Sequence, residues 1–329
     1  MAQNIANEEK VFEHFLKLPK HLRMIVNNKM RPDDRCRFTR CSKLCNEETK
    51  ASKNYIYQLD VACWLNDYIR ITILHGNHEL GGIDRQGFRI SFFEASGKKF
   101  KNYYSLAHDV TLWDIELNQS TNLVQSAIDE VRKRMKIYQN SVKKLKFDSV
   151  TLRGNKNLFK DVNFGIESLN NLEQLDVLGD IDVLQFLTKL RKPLNKLHID
   201  GELNSELLDC KQIYQVRHLI CRKMEFKMEQ ILRLSSKVVD MSIGDLTEKD
   251  IFYFIRSWQN GKIKEDLEVY RWNSLTSTFS MRKLSRLLRI KDDDNQLIEI
   301  KHFNKAGKSA VLSFNGFSLQ FNAGLVAWL

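Results

Sequence analysis

Beyond residue 140 the chain repeats one short frame, apolar-x-x-apolar-x-apolar. It recurs as Val142/Leu145/Phe147, Leu172/Leu175/Val177, Leu194/Leu197/Ile199, Val216/Leu219/Cys221, Val238/Met241/Ile243 and Leu267/Tyr270/Trp272. Successive middle residues stand 30, 22, 22, 22 and 29 positions apart. A frame this short buries one strand per unit, and equal spacing stacks the units so that neighbours share one apolar core. Each unit must cross back before the next strand, because parallel strands cannot be joined by a tight hairpin.

The spacing is that of leucine-rich repeats, although the asparagine that usually hydrogen-bonds the turning backbone is missing, so a short and irregular arc is expected. Helical segments should fill the intervals. Ile181 to Leu190 has suitable spacing, and Thr247 to Trp258 places Ile251, Phe254, Ile255 and Trp258 on one face behind a Thr247 cap. The chain then changes character. Leu297 to Phe303 and Ser309 to Phe314 flank Lys305-Ala306-Gly307-Lys308 as a β-hairpin, and Phe317 to Phe321 alternates once more. A terminal β unit of this kind would close the open edge of the array.

Ahead of the repeats the pattern differs twice. Residues 12–55 read as three short helices. Pro19 suits the first position of a helix carrying Leu22, Ile25 and Val26 at i, i+3, i+4, and that helix should stop near Lys29. Pro32 opens a second, with Asp33 and Asp34 in its first turn and Phe38 and Cys41 on one side, and Ser42 caps a third that holds Leu44 and Cys45. Residues 56–140 are β-rich, with runs at Tyr68 to Leu74, Phe88 to Phe93 and Val110 to Leu117. A helix from about Ser120 to Gln139 follows, burying Leu123, Ala127, Val131 and Met135. The expected class is therefore α+β with an α/β portion: a three-helix N-terminal unit, a small β-rich segment, and a leucine-rich-repeat-like array over 141–329 ending in a hairpin.

Composition narrows the function classes. With 329 residues, 43% of them hydrophobic, the chain can build a sizeable core without staples. The six cysteines, Cys36, Cys41, Cys45, Cys63, Cys210 and Cys221, follow neither a disulfide framework nor paired zinc spacing, which points to a reducing compartment, cytoplasmic or nuclear. The polar start MAQNIANEEK is unlike a secretory signal, and no apolar run suits a membrane span. A net charge of +11 raises nucleic acid as a partner. The one basic run, Val131-Arg132-Lys133-Arg134-Met135-Lys136, reads better as the solvated face of an amphipathic helix.

Phe15-Leu16-Lys17-Leu18-Pro19, continued by Leu22, Ile25-Val26, Asp33-Asp34, Phe38 and Ser42-Lys43, resembles an F-box over about forty residues. Leu246-Thr247-Glu248-Lys249-Asp250-Ile251, with Trp258, Gly261, Leu267-Glu268, Phe303, Gly307-Lys308-Ser309-Ala310 and Trp328, is similar to the F-box-associated domain of the expanded nematode-type F-box families. These resemblances imply an adaptor subunit of a cullin-RING (SCF-type) ubiquitin ligase. Leu18, Pro19, Leu22, Ile25, Val26, Met30 and Phe38 would dock a Skp-type adaptor and through it a cullin, while the C-terminal part would bind a target protein. They imply no chemistry on the chain and no cofactor. The alternative is a leucine-rich-repeat scaffold whose degenerate F-box no longer docks.

Catalytic patterns are weak. Gly76-Asn77-His78-Glu79 imitates one segment of a two-metal phosphoesterase site, but the Asp-x-His and upstream Gly-Asp which that chemistry needs are missing. Cys36, Cys41, Cys45 and His21 lack zinc-knuckle spacing, and neither a nucleophile elbow nor a phosphate-cradling glycine loop occurs.

Overall fold

The computed structural model describes residues 14, 15, 17–30, 38, 44, 45, 47, 56–64, 68–75, 85–94, 110–120, 123–138, 141–148, 159, 162–201, 205–221, 226–242, 247–263, 266–273, 279–290, 297–301, 309–314 and 318–323. The chain divides into two compact units, Met1–Lys143 and Lys144–Leu329. Both combine helices with β-sheet, so the protein is α+β.

In the first unit, helix α1 spans Lys20–Lys29 and stops where expected. Pro19 stands just outside it as the N-cap residue, with an extended backbone, and not as the first helical residue. Its carbonyl accepts from the amides of Leu22 (3.0 Å) and Arg23 (3.1 Å), so the first turn still closes on the proline. The Pro32 helix and the Ser42 cap lie outside the described residues, apart from helical residues at 38, 44, 45 and 47.

Strands β1 (Ile56–Trp64), β2 (Tyr68–His75), β3 (Arg85–Glu94) and β4 (Val110–Ser120) follow in spatial order β1-β2-β3-β4, the first two pairings antiparallel and the last parallel. Leu59, Val61 and Cys63 on β1 and Ile69, Ile71 and Ile73 on β2 are all buried, as the two-residue period of a strand requires. Helix α2 (Leu123–Tyr138) packs on β2, β3 and β4 and buries Ala127, Val131, Met135 and Tyr138 at helical spacing.

The second unit is a mixed sheet. Strands β5 (Lys144–Asp148), β6 (Gln174–Leu178), β7 (Lys196–Asp200), β8 (His218–Cys221), β9 (Val238–Ser242) and β10 (Val269–Asn273) lie side by side in chain order, every pairing parallel. Their registers align Leu145, Leu175, Leu197, Leu219, Val239 and Tyr270 in one buried row. Phe147, Val177, Ile199, Cys221, Met241 and Trp272 form a second.

The fifth frame is therefore Ser236/Val239/Met241 and not Val238/Met241/Ile243. Two adjacent valines make the alternation ambiguous in sequence, and the ladder settles it: Val239 is buried while Val238 is half-buried. The slot filled by Val142, Leu172, Leu194, Val216 and Leu267 in the other units is here filled by Ser236, buried, whose Oγ donates to the Val216 carbonyl at 2.6 Å. That bond satisfies the hydroxyl, which would otherwise make burial unfavourable.

Short helices return the chain between strands: α3 (Leu184–Leu187), α4 (Met228–Arg233), α5 (Glu248–Gln259) and α6 (Met281–Leu288), with 3-10 turns at Ser205–Asp209 and Lys211–Gln215. The Ile181 to Leu190 helix shortens to the single turn of α3. Helix α5 has the expected start, a reciprocal cap in which Thr247 Oγ1 accepts from the Asp250 amide (3.3 Å) and Asp250 Oδ2 from the Thr247 amide (2.9 Å). At the C-terminal end β11 (Leu297–Lys301), β12 (Ser309–Phe314) and β13 (Ser318–Ala323) pair antiparallel, and β13 pairs antiparallel with β10. The hairpin thus becomes a three-stranded extension covering the β10 edge.

Candidate docking surface

On α1, Leu22, Ile25 and Val26 share a face because three and four residues span about one turn. All three point outward, with relative exposures of 39%, 53% and 38%. Asn27 turns inward, fully buried and about opposite Ile25 on the helical wheel, with Arg23 and Met24 half-buried on the same side. The amphipathic sense is thus reversed from that of a helix packed on its own core. At these exposures each aliphatic side chain forgoes only about half of the roughly 1.5–3 kcal/mol that complete burial is worth. Complete burial against a partner would recover that free energy.

The rest of the expected set divides. Pro19 is exposed, and Leu18 and Met30 are half-buried at the two ends of α1. Arg23 Nη1 donates to the Leu18 carbonyl at 2.7 Å, fixing the chain as it enters the helix. Phe38 is not on the surface: it is 7% exposed, with its ring edge-on to Phe15 at 4.8 Å between centroids. Its part is to pack the small unit from within. Leu44, which sequence reasoning left out of the set, is a further exposed apolar residue, while its neighbour Cys45 is buried. Neither the weak apolar character of that segment nor its spacing distinguished the outward residue from the inward one.

Three of the four cations in the basic run on α2 are held in ion pairs within the helix. Arg132 pairs with Asp129 (3.4 Å) and Lys133 with Glu130 (3.5 Å). Arg134 is buried and pairs with the same Glu130, its Nε donating at 2.5 Å. A buried arginine held by a carboxylate is a structural element of the helix and does not contact phosphates.

Gly76-Asn77-His78-Glu79, Cys36 and Cys41 lie outside the described residues. His21 is exposed on α1 whereas Cys45 is buried, and no group of three metal-ligating side chains occurs among the described residues. In the second unit burial pushes the Cys221 thiol and the Tyr270 phenol upward, which keeps both protonated inside the core. No helix among the described residues is long and apolar enough to cross a membrane. Compared with known proteins, the chain matches no family model, no curated protein and no solved structure.

Proposed function

We propose that the chain is a non-enzymatic adaptor subunit of an SCF-type ubiquitin ligase. Its N-terminal helical segment is an F-box that docks a Skp-type adaptor, and its C-terminal unit is a leucine-rich-repeat-like F-box-associated domain that binds a target protein. The observation that carries this reading is the apolar stripe of α1 directed into solvent behind the Leu18-Pro19 entry, with polar Asn27 turned inward. A helix of this sense is built to be covered by another protein, and aliphatic anchors in a helix-on-helix contact supply the apolar centre of such interfaces. Phe15 and Phe38 serve it indirectly by holding the helical segments together.

The parallel ladder supports the second half of the reading. Six strands lie in chain order, and the connections from β6 through β10 each contain a short helical or 3-10 segment, which gives a rigid array with one row of core residues per strand position. Arrays of this kind commonly serve recognition and carry no chemistry of their own.

The test is co-elution of the full chain with a purified Skp-type adaptor on a sizing column, using Leu22→Asp/Ile25→Asp as the control. A stable complex with the wild-type chain, lost in a folded double variant, supports the ligase reading. Failure of the wild-type chain to bind, with its fold intact, refutes the adaptor role and leaves a repeat scaffold.

A further inference from the structure

We infer that the outer face of helices α5 and α6 is a docking surface for an acidic polypeptide segment containing apolar residues. Adaptor docking leaves the chemistry of the partner open, and this inference supplies it. It takes its biological meaning from the adaptor reading but stands on its own charge pattern.

The two helices pack side by side and are tied at their starts, where Glu248 Oε1 accepts from the Ser280 amide at 2.8 Å and lies 3.9 Å from Lys283 Nζ. Their apolar stripes, Ile251, Phe254, Ile255 and Trp258 on one and Leu284 and Leu288 on the other, are buried. What remains outside is basic. Lys249, Lys283, Arg286 and Arg289 are all exposed, and α6 itself, Met281–Leu288, contains no acidic residue. Lys249, Arg286 and Arg289 make no ion pair among the described residues, unlike Arg132, Lys133 and Arg134 of α2.

Two large apolar side chains sit among these charges: Tyr253, 53% exposed, and Leu287, 37% exposed. Arg289 adds a separate observation. It closes α6 with a left-handed backbone, φ 59°, where glycine is the easier residue. An arginine at that position keeps a positive charge on this face despite the backbone conformation.

Phosphate backbones fit this face less well than carboxylate side chains do. Helix N-termini are the natural phosphate sites, and here both are occupied by carboxylates: Asp250 caps α5, and Glu248 sits at the start of α6. A nucleic acid would meet those two charges. A peptide with spaced Glu or Asp would instead reach the cations farther along, and its apolar residues would meet Tyr253 and Leu287.

The experiment is fluorescence anisotropy of the full chain with a fluorescein-labelled Glu-Glu-Leu repeat peptide, with a Gln-Gln-Leu repeat and single-stranded and duplex DNA as comparison probes. Saturable binding of the acidic peptide and not of its glutamine counterpart is expected, weakening as salt screens the charges. Arg286→Glu should weaken it about tenfold or more. Arg289→Gly should also weaken it while leaving thermal stability unchanged or raised, an outcome that a purely structural role for Arg289 would not produce. Leu22→Asp/Ile25→Asp should bind the peptide normally, and Arg286→Glu should still co-elute with the adaptor, so failure of one proposal is separable from failure of the other. Absent peptide binding, or binding indifferent to Arg286→Glu, overturns the inference. Tighter binding of DNA with the same sensitivity also overturns it and reassigns the face to nucleic acid.

Discussion

Helices α1 and α5 carry the same kind of stripe and meet opposite fates. In α5 the apolar residues Ile251, Phe254, Ile255 and Trp258 are all buried, whereas in α1 Leu22, Ile25 and Val26 face solvent and Asn27 turns in. Periodicity reports that a face is apolar; what covers that face depends on connectivity. Helix α5 joins two parallel neighbours, β9 and β10, and a crossover between such strands must lie against the sheet. Helix α1 precedes the first described strand and is not a crossover, so this constraint does not act on it, and under the proposed docking role its stripe would be covered by a partner.

The sharpest way to break this contrast is to remove what lies under α5. The Phe254 ring meets Tyr270, Trp272 and Phe321 at centroid distances of 4.7, 5.0 and 5.6 Å. Phe254→Ala should cost about 3–5 kcal/mol in urea unfolding, from lost transfer free energy plus the cavity left behind. A loss below about 1 kcal/mol would mean that the α5 stripe is no better buried than that of α1.

A tighter point lies between successive units of the same array. A Cβ on Gly201 would stand 2.2 Å from the Gly179 carbonyl oxygen and 2.6 Å from its carbon, both backbone atoms that cannot rotate away. The two segments are already joined there, Gly179 N–H donating to the Asp200 carbonyl at 2.8 Å. Gly201→Ala should therefore destabilise by about 1–3 kcal/mol through overpacking. The checkable signature is a lower denaturation midpoint at unchanged m-value. No shift would show that the units are looser than the buried rows suggest.

Much of this array was legible because its sequence is locally redundant. Five of the six frames name their buried residues correctly, and the ladder itself shows why the fifth does not. Val238 and Val239 are equally apolar, and Ser236 gives no apolar signal in the first slot, so only the pairing with β8 and the bond to the Val216 carbonyl reveal the frame. Long-range clusters were not legible either. Phe147, Phe164 and Phe186 gather within 6.1 Å of one another, with Phe159 beside Phe164 at 5.8 Å, and no local period links residues that far apart in the chain. At the candidate site, spacing correctly grouped Leu22, Ile25 and Val26, but Phe38 looked equally apolar and lies inside. Spacing specifies which residues share a face and is silent on which way the face points.

The start of α5 offers a smaller perturbation. Thr247→Ala removes the hydroxyl that accepts from the Asp250 amide at 3.3 Å and leaves that amide only its bond to the Thr247 carbonyl at 3.1 Å. The expected cost is about 1 kcal/mol, near the middle of the range for exposed caps. Thr247→Ser should restore most of it, and equal losses in both variants would assign the effect to packing of the threonine methyl group.

The smallest expected effect on stability comes from the most drastic change in chemistry. Leu22→Asp/Ile25→Asp puts two charges on α1, at positions already 39% and 53% exposed. Substitutions at such sites usually change folding stability by no more than about 0.5 kcal/mol. The carboxylate introduced by Leu22→Asp would also lie in the first turn, where it interacts favourably with the helix dipole. Thermal unfolding should therefore be nearly superimposable on wild type, while adaptor binding, which would require those carboxylates to be desolvated, disappears. Loss of more than about 2 kcal/mol would instead place the two side chains under cover within the chain, because only buried positions react so strongly to an added charge. In that event α1 and α5 would no longer differ, and the outward stripe would cease to count as a docking surface.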